Sequence, residues 1–226
     1  MTNRLKKMIQ KKISQKKAVL YYESFSQSGE DLIVKFIFDN YLKIHQPTYI
    51  DLGAYDPFHF SNTELLYRNG SKGINIEPNP NQFKNFLKYR KRDINLNIGV
   101  SDKRDLLEYY VMSVSTMNTF SSEEVEKLQN ESSIKLIKSI KVQVDTLPEI
   151  LNKYWNGAFP DFLSIDAEGL ELPIMGMIDF ESNYPKVICI ETLTYSENNN
   201  EEKDLDIIKY LKDKGYILYA DTYINS

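Results

Sequence analysis

From about residue 29 onward, short apolar runs alternate with amphipathic stretches. Residues 29–38 place Leu32 and Phe36, and Ile33 and Ile37, four apart, the spacing that buries one face of a helix. Residues 48–54 form an apolar run read as a strand, and 63–68 a short helix stopped by Asn69-Gly70. Residues 73–77 read as a second strand, 81–89 as a helix and 94–100 as a third strand. The alternation then breaks. Residues 106–112 and 140–144 read as strands around a helix over 121–130, where Ser121 and Glu124 match a capping box. Thr146-Leu-Pro-Glu149 is a second such start, with proline tolerated in the first turn, and opens a helix to about Tyr154. Residues 161–166 and 186–191 are further strands, 204–214 a helix closed by Gly215, and 216–220 a last strand. The pattern predicts an α/β fold: a mostly parallel sheet with helices on both faces and a hairpin-plus-helix insertion.

Composition adds limits. A chain of 226 residues is long enough for one domain with its own core. Residues 1–19 carry seven Lys or Arg and no acid; the remainder holds 21 basic and 32 acidic side chains, a net charge of −11. We therefore divide the chain into a basic leader, 1–19, and a single domain, 20–226. Leu5, Met8, Ile9 and Ile13 fall at helical spacing in the leader. Such a helix either packs loosely on the domain or touches an anionic membrane surface. An acidic body with its basic charge on a tail argues against a nucleic-acid partner. The single cysteine, Cys189, lies in the apolar run Val187-Ile-Cys-Ile190 and reads as buried and inert. No internal disulfide is then available, which suits a reducing, cytoplasmic setting. No apolar stretch approaches the roughly 20 residues of a membrane span, and the N-terminus lacks a signal-peptide apolar region. The oligomeric state is left open.

Four carboxylates fall at or just beyond strand ends: Asp51, Glu77, Asp166 and Glu191. In an open α/β sheet that edge is where ligands bind. A pyrophosphate-binding turn wants Gly-x-Gly-x-x-Gly. The turn here is Gly53-Ala-Tyr-Asp-Pro57, with one glycine and an acid. It would repel a pyrophosphate and suits a cofactor with a cationic end. S-adenosylmethionine carries a sulfonium and an amine and no phosphate, so a methyl donor is favoured over NAD or ATP.

Six segments carry a resemblance. They are Ser26-Gln-Ser-Gly-Glu-Asp31, Ile50-Asp-Leu-Gly-Ala-Tyr-Asp-Pro57, Ser61-Asn-Thr63, Gly73-Ile-Asn-Ile-Glu-Pro-Asn-Pro80, Asn97-Ile-Gly-Val-Ser-Asp102 and Asp161-Phe-Leu-Ser-Ile-Asp-Ala-Glu-Gly169. In order and spacing they are similar to those of FkbM-type methyltransferases. The resemblance implies a class I, Rossmann-like three-layer sandwich of seven strands, the last antiparallel. Only residues 221–226 follow the last strand read here, which is short for that element. It also implies S-adenosylmethionine as cofactor and methyl transfer to a hydroxyl, often on a sugar or a polyketide-like molecule. By that resemblance Asp51 and Gly53 border the methionine portion, Glu77 holds the ribose hydroxyls, and Pro78 and Asn79 flank the adenine. Asn97, Gly99, Ser101 and Asp102 would close the adenine end. Ser26, Gln27 and Glu30 would lie over the cofactor, and Ser61 and Asn62 would border the cleft.

An alcohol is a poor nucleophile until its proton is taken or shared. Asp166 is the first candidate base and His59 the second. A metal is another route: Asp166, Glu168 and Glu191 are hard oxygen donors suited to Mg²⁺ or Ca²⁺. Residues 113–139 read as a lid over the acceptor, because Ser115-Thr-Met-Asn-Thr-Phe120 mixes hydroxyls, an amide and an aromatic ring. Three rivals are a non-catalytic scaffold that kept the sheet, an NAD-dependent enzyme acting on sugars, and a nucleic-acid methyltransferase. The intact strand-end acids count against the first and the missing glycine-rich turn against the second. The acidic body counts against the third, as does the lack of an Asn/Asp-Pro-Pro-Tyr-type motif.

Overall fold

Five parallel strands form the central sheet of the computed structural model, which describes residues 22–167, 169–193 and 202–226. In chain order they are β1 (Tyr49–Leu52), β2 (Gly73–Ile76), β3 (Ile94–Leu96), β7 (Phe162–Ile165) and β8 (Val187–Ile190), arranged β3-β2-β1-β7-β8. β1, β2 and β7 are buried along their whole length, which is why they read as near-continuous apolar runs instead of alternating ones. On one face Ile50, Leu52, Ile74, Leu163 and Ile165 pack against α5 (Leu147–Tyr154), α6 (Glu171–Met175) and α7 (Leu205–Asp213). On the other, Tyr49, Phe162 and Cys189 meet Val34 of α1 (Glu30–Phe36) and Leu66 of α2 (Glu64–Arg68). α1 continues as a wider π-helical turn, Ile37–Leu42, whose Phe38 fills the same face. The register between β1 and β7 is pinned at its entrance. Asp161 accepts from Thr48 N–H and Oγ1 at 2.9 and 2.8 Å, while Asp161 N–H donates to Thr48 Oγ1 at 3.0 Å. The expected Rossmann-like architecture is therefore present.

α3 (Pro80–Tyr89) starts at Asn79, whose side chain accepts from Asn81 N–H. Beyond it the expected third strand splits in two. β3 stays in the main sheet, while β4 (Gly99–Val100) joins β6 (Leu136–Asp145) and β5 (Asp105–Met112) in a second sheet ordered β4-β6-β5. Asn97 makes the break, because its side-chain amide donates to the carbonyls of Glu77 and Pro78 at 2.8 and 3.0 Å and turns the chain over the tip of β2. α4 (Ser122–Glu131) begins at Ser121, whose hydroxyl accepts from Glu124 N–H, and packs Val125 and Leu128 on Met112 and Ile134. The insertion thus has a small core of its own.

The expected last strand is not formed. Among the described residues, 216–220 follow α7 and pair with no strand, and Ile217 is 82 % exposed. An apolar groove of about 570 Å³ lies between this segment and β8. The antiparallel position beside β8 is taken instead by residues 224–226. Ser226 exchanges both backbone bonds with Ile190, and Thr192 N–H donates to Ile224. The basic leader lies outside the described residues. Among the described residues no helix is long and apolar enough to cross a membrane.

Candidate active site

The order of the central sheet reverses between β1 and β7, and at such a switch point the strand tips open a crevice. Its floor is Gly53. Gly53 and Ala54 both donate to the carbonyl of Ile76, at 3.1 and 3.0 Å, tying the β1 turn to the tip of β2. A Cβ on Gly53 would stand 2.0 Å from the carbonyl oxygen of Asp166 at the tip of β7, and its φ is +73°. Only glycine satisfies both conditions.

The loop after this turn is strained. Tyr55 and Phe60 both hold left-handed backbones, φ 55° and 56°, a conformation that costs a bulky residue about 1–3 kcal/mol. It is fixed from several sides. Tyr55 N–H donates to Glu77 Oε2 at 2.8 Å, and Asp56 Oδ1 accepts from the N–H groups of Phe58 and His59 at 2.9 and 3.0 Å. Beneath the loop lies Arg90, fully buried at the end of α3. Its guanidinium donates to Pro57 O, Ser61 Oγ and Tyr49 Oη at 3.0–3.1 Å and pairs with Glu64 at 3.1 Å.

Glu77 sits at the tip of β2, 3 % exposed. Oε1 accepts from Asn79 N–H at 2.7 Å and Oε2 from Tyr55 N–H at 2.8 Å. Each oxygen keeps acceptor capacity for a ligand hydroxyl. Burial lifts this carboxyl to about 8, with the charges of Asp166 and Asp51 acting the same way against the two amide bonds. Burial also raises Asp51, opposed by hydrogen bonds from Thr63, at 2.8 Å, and Ser164. Asp166 and Glu191 form a hydrogen-bonded pair. Burial and the neighbouring charge of Glu171 raise Asp166; burial and the charge of Asp166 raise Glu191 further. Both carboxyls therefore hold a proton more readily than ordinary acids do, and they titrate as a pair.

Asp51, Gly53, Glu77, Pro78, Asp166 and Glu191 border one cavity of about 430 Å³, together with Gln27 and Asn62. Residues 115–120 of the insertion roof it, and Tyr55 Oη bonds Ser115 Oγ at 3.0 Å across the mouth. Among the described residues its lining contains four carboxylates and no Lys, Arg or His.

Other residues expected here lie elsewhere. Glu30 is turned away; it accepts from Thr222 Oγ1 at 2.7 Å and Asn225 Nδ2 at 3.2 Å and fastens the C-terminal segment to α1. Ser26 donates to Asp31 at 2.9 Å outside the cavity. Ser61 accepts from Glu64 N–H and Arg90, a scaffolding role at the start of α2. Asn79 is the cap of α3, and Asn97 is spent on the Glu77 and Pro78 carbonyls. Ser101 donates to Asp102 at 3.1 Å, and neither lines the cavity, because β4 has left for the second sheet; only Gly99 and Val100 reach it. His59 borders a separate, adjoining groove. Glu168 lies outside the described residues. Among the described residues no three His, Cys, Asp or Glu side chains are grouped to hold a metal ion.

Tyr55, Phe60, Gln82 and Arg90 were not singled out by the sequence. An aromatic residue in or just after a turn, or an arginine ending an amphipathic helix, carries no local signal of its role.

No curated protein matches the chain. The family model described as the methyltransferase FkbM domain matches residues 51–218. The match begins at Asp51, takes in Glu77, Asp166 and Glu191 and covers well over half of the chain, so this protein belongs to the FkbM methyltransferase family.

Proposed function

We propose that this methyltransferase uses S-adenosylmethionine to methylate a hydroxyl of a sugar or another small molecule. The observation that carries the reading is the cavity at the strand tips, walled by Asp51, Glu77, Asp166 and Glu191 without a cationic side chain among its described residues. Such a site favours a ligand that brings positive charge and disfavours a pyrophosphate. The residues fit the cofactor in two further respects. Gly53 leaves the backbone bare at the crevice floor, and Glu77 offers two carboxylate oxygens already oriented by backbone amides.

S-adenosylmethionine, when bound, supplies a methyl group activated by its sulfonium. Glu77 accepts hydrogen bonds from the ribose hydroxyls, and Asp51 and Asp166 balance the positive end. Asp166 takes the proton of the acceptor hydroxyl onto a carboxylate oxygen. Glu191 keeps its own proton and donates to Asp166, fixing the orientation of that carboxylate. The elevated affinity of Asp166 for a proton brings it closer to the range a general base needs near neutral pH. Residues 115–120 exclude water from above.

Incubation with S-adenosylmethionine and a panel of alcohols and glycosides, with mass spectrometry for a methylated product, tests the reading. The wild type forms such a product, and Asp166→Asn lowers the rate about 10²- to 10⁴-fold. A variant as fast as the wild type would remove Asp166 from the role of base.

A further inference from the structure

Beside the cavity lies an open groove of about 660 Å³, bounded by Phe25, Phe58, His59 and Phe60. Tyr55, Phe60, Gln82 and Ser115 border both spaces, so the groove directly adjoins the cavity. We propose that this groove is a recognition subsite for the acceptor and that it takes an uncharged glycosyl ring, stacked on Phe60. The proposal rests on the methyl-transfer reading above.

Three independent features lead to it. The first is the presentation of Phe60. Phe60 is 50 % exposed although its backbone is left-handed, and its ring is tilted 30° to that of Tyr55 with centroids 6.0 Å apart. A loop bolted from below by buried Arg90 and held by Asp56 thus displays a large apolar ring to solvent. Strain maintained in order to expose an aromatic face points to a binding role. The apolar C–H face of a pyranose is complementary to such a ring.

The second is the set of polar groups. Among the described residues the Gln82 amide and the His59 ring make no hydrogen bond, whereas the other polar groups at the groove are engaged. Ser24 and Ser26 donate to Asp31, and Asp56 accepts from its own loop. A free amide offers donors and an acceptor together, which is what neighbouring ring hydroxyls require. An acceptor that was apolar throughout would leave these groups desolvated and unpaired.

The third is charge. The described groove lining contains no Lys or Arg and its one carboxylate is Asp56, beside a cavity that likewise has no cationic side chain among its described residues. A glycosyl phosphate or a uronate would enter against that field, and a neutral ring would not.

The probes are methyl glycosides of common hexoses and deoxyhexoses, compared with glucose 1-phosphate. Saturation-transfer NMR is run on the full chain kept saturated with S-adenosylhomocysteine, whose own binding is first measured by calorimetry. The proposal expects saturation of ring protons for at least one neutral glycoside and none for the phosphate. Phe60→Ala and Phe60→Leu each weaken glycoside binding by about three- to tenfold, while Phe60→Trp, which keeps a ring face, retains it. S-adenosylhomocysteine binding without any glycoside signal, or a glycoside signal indifferent to loss of the ring, overturns the subsite alone. Tighter binding of glucose 1-phosphate also overturns it. Failure of S-adenosylhomocysteine itself to bind overturns the methyl-transfer reading and the subsite with it.

Discussion

Replacing Glu77 by alanine separates the cost to the fold from the cost to the ligand. In the ligand-free protein its two oxygens accept from Tyr55 and Asn79 N–H, and the variant leaves both amides without an acceptor. Each buried amide left unpaired costs about 1–3 kcal/mol. Loss of a buried carboxyl that burial already penalises, as its lifted proton affinity records, offsets part of that. Stability should therefore fall by about 1–3 kcal/mol in total, read by urea unfolding. The effect on the cofactor is separate. Hydrogen bonds from the ribose to a charged acceptor are worth about 1.5–3 kcal/mol, so S-adenosylmethionine should bind roughly 10- to 100-fold more weakly. Calorimetry on folded variant, with circular dichroism as the control, measures this. A 2′-deoxyribose analogue of the cofactor closes the cycle: it should bind the wild type less well than S-adenosylmethionine does, and Glu77→Ala should no longer distinguish the two. Affinity within twofold of the wild type, or a deoxy penalty that survives in the variant, would refute the ribose assignment.

Two further predictions concern stability. Arg90→Ala removes the buried cation shared by Glu64 and Asp93, leaving Glu64 only Arg68, and unties the 57–63 loop; it should cost about 3–5 kcal/mol by chemical unfolding, and a loss below 1 kcal/mol would show that the network is not holding the loop. The strand-end acids predict a pH dependence. Glu77 binds its proton more tightly in the folded chain, to about 8 against 4.5 for an ordinary glutamate, and Asp166 and Glu191 shift the same way. The folded state therefore holds protons that the unfolded state has released. That stabilisation is complete below the ordinary carboxylate range and is lost as pH rises through the folded values, at up to about 1.4 kcal/mol per pH unit for each such group. The melting temperature of the ligand-free protein should fall between about pH 5 and 8, less steeply in Glu77→Gln; a rise over that range would contradict the burial of these carboxyls.

The tips of the sheet were legible because a parallel strand covered on both faces is apolar throughout, so an acid at its end is conspicuous. Glu77, Asp166 and Glu191 follow such runs, Asp51 is the one acid inside one, and all four line the cavity. What was not legible is the direction in which a polar side chain points once its backbone position is known. Glu30 and Glu77 look alike as acids in similar motifs, yet one clamps the C-terminal segment and the other faces the crevice. Asn79, Asn97 and Ser101 sit next to the cavity in sequence but satisfy caps and carbonyls, which is the commonest use of such side chains. The split of the third strand depends on the Asn97 amide reaching two carbonyls about twenty residues away, a non-local bond that no period reveals. Arg90 ends an amphipathic helix, where an arginine is ordinarily solvated, and only the tertiary fold buries it.

The central claim is that the acid-walled crevice is built for a cationic, phosphate-free cofactor. Calorimetry with S-adenosylmethionine and NAD on the same preparation tests it most directly. The account predicts binding of S-adenosylmethionine in the micromolar range, with proton release as the cofactor's positive charge lowers the Glu77 carboxyl, and no binding of NAD. Binding of NAD, or no binding of S-adenosylmethionine, would contradict it.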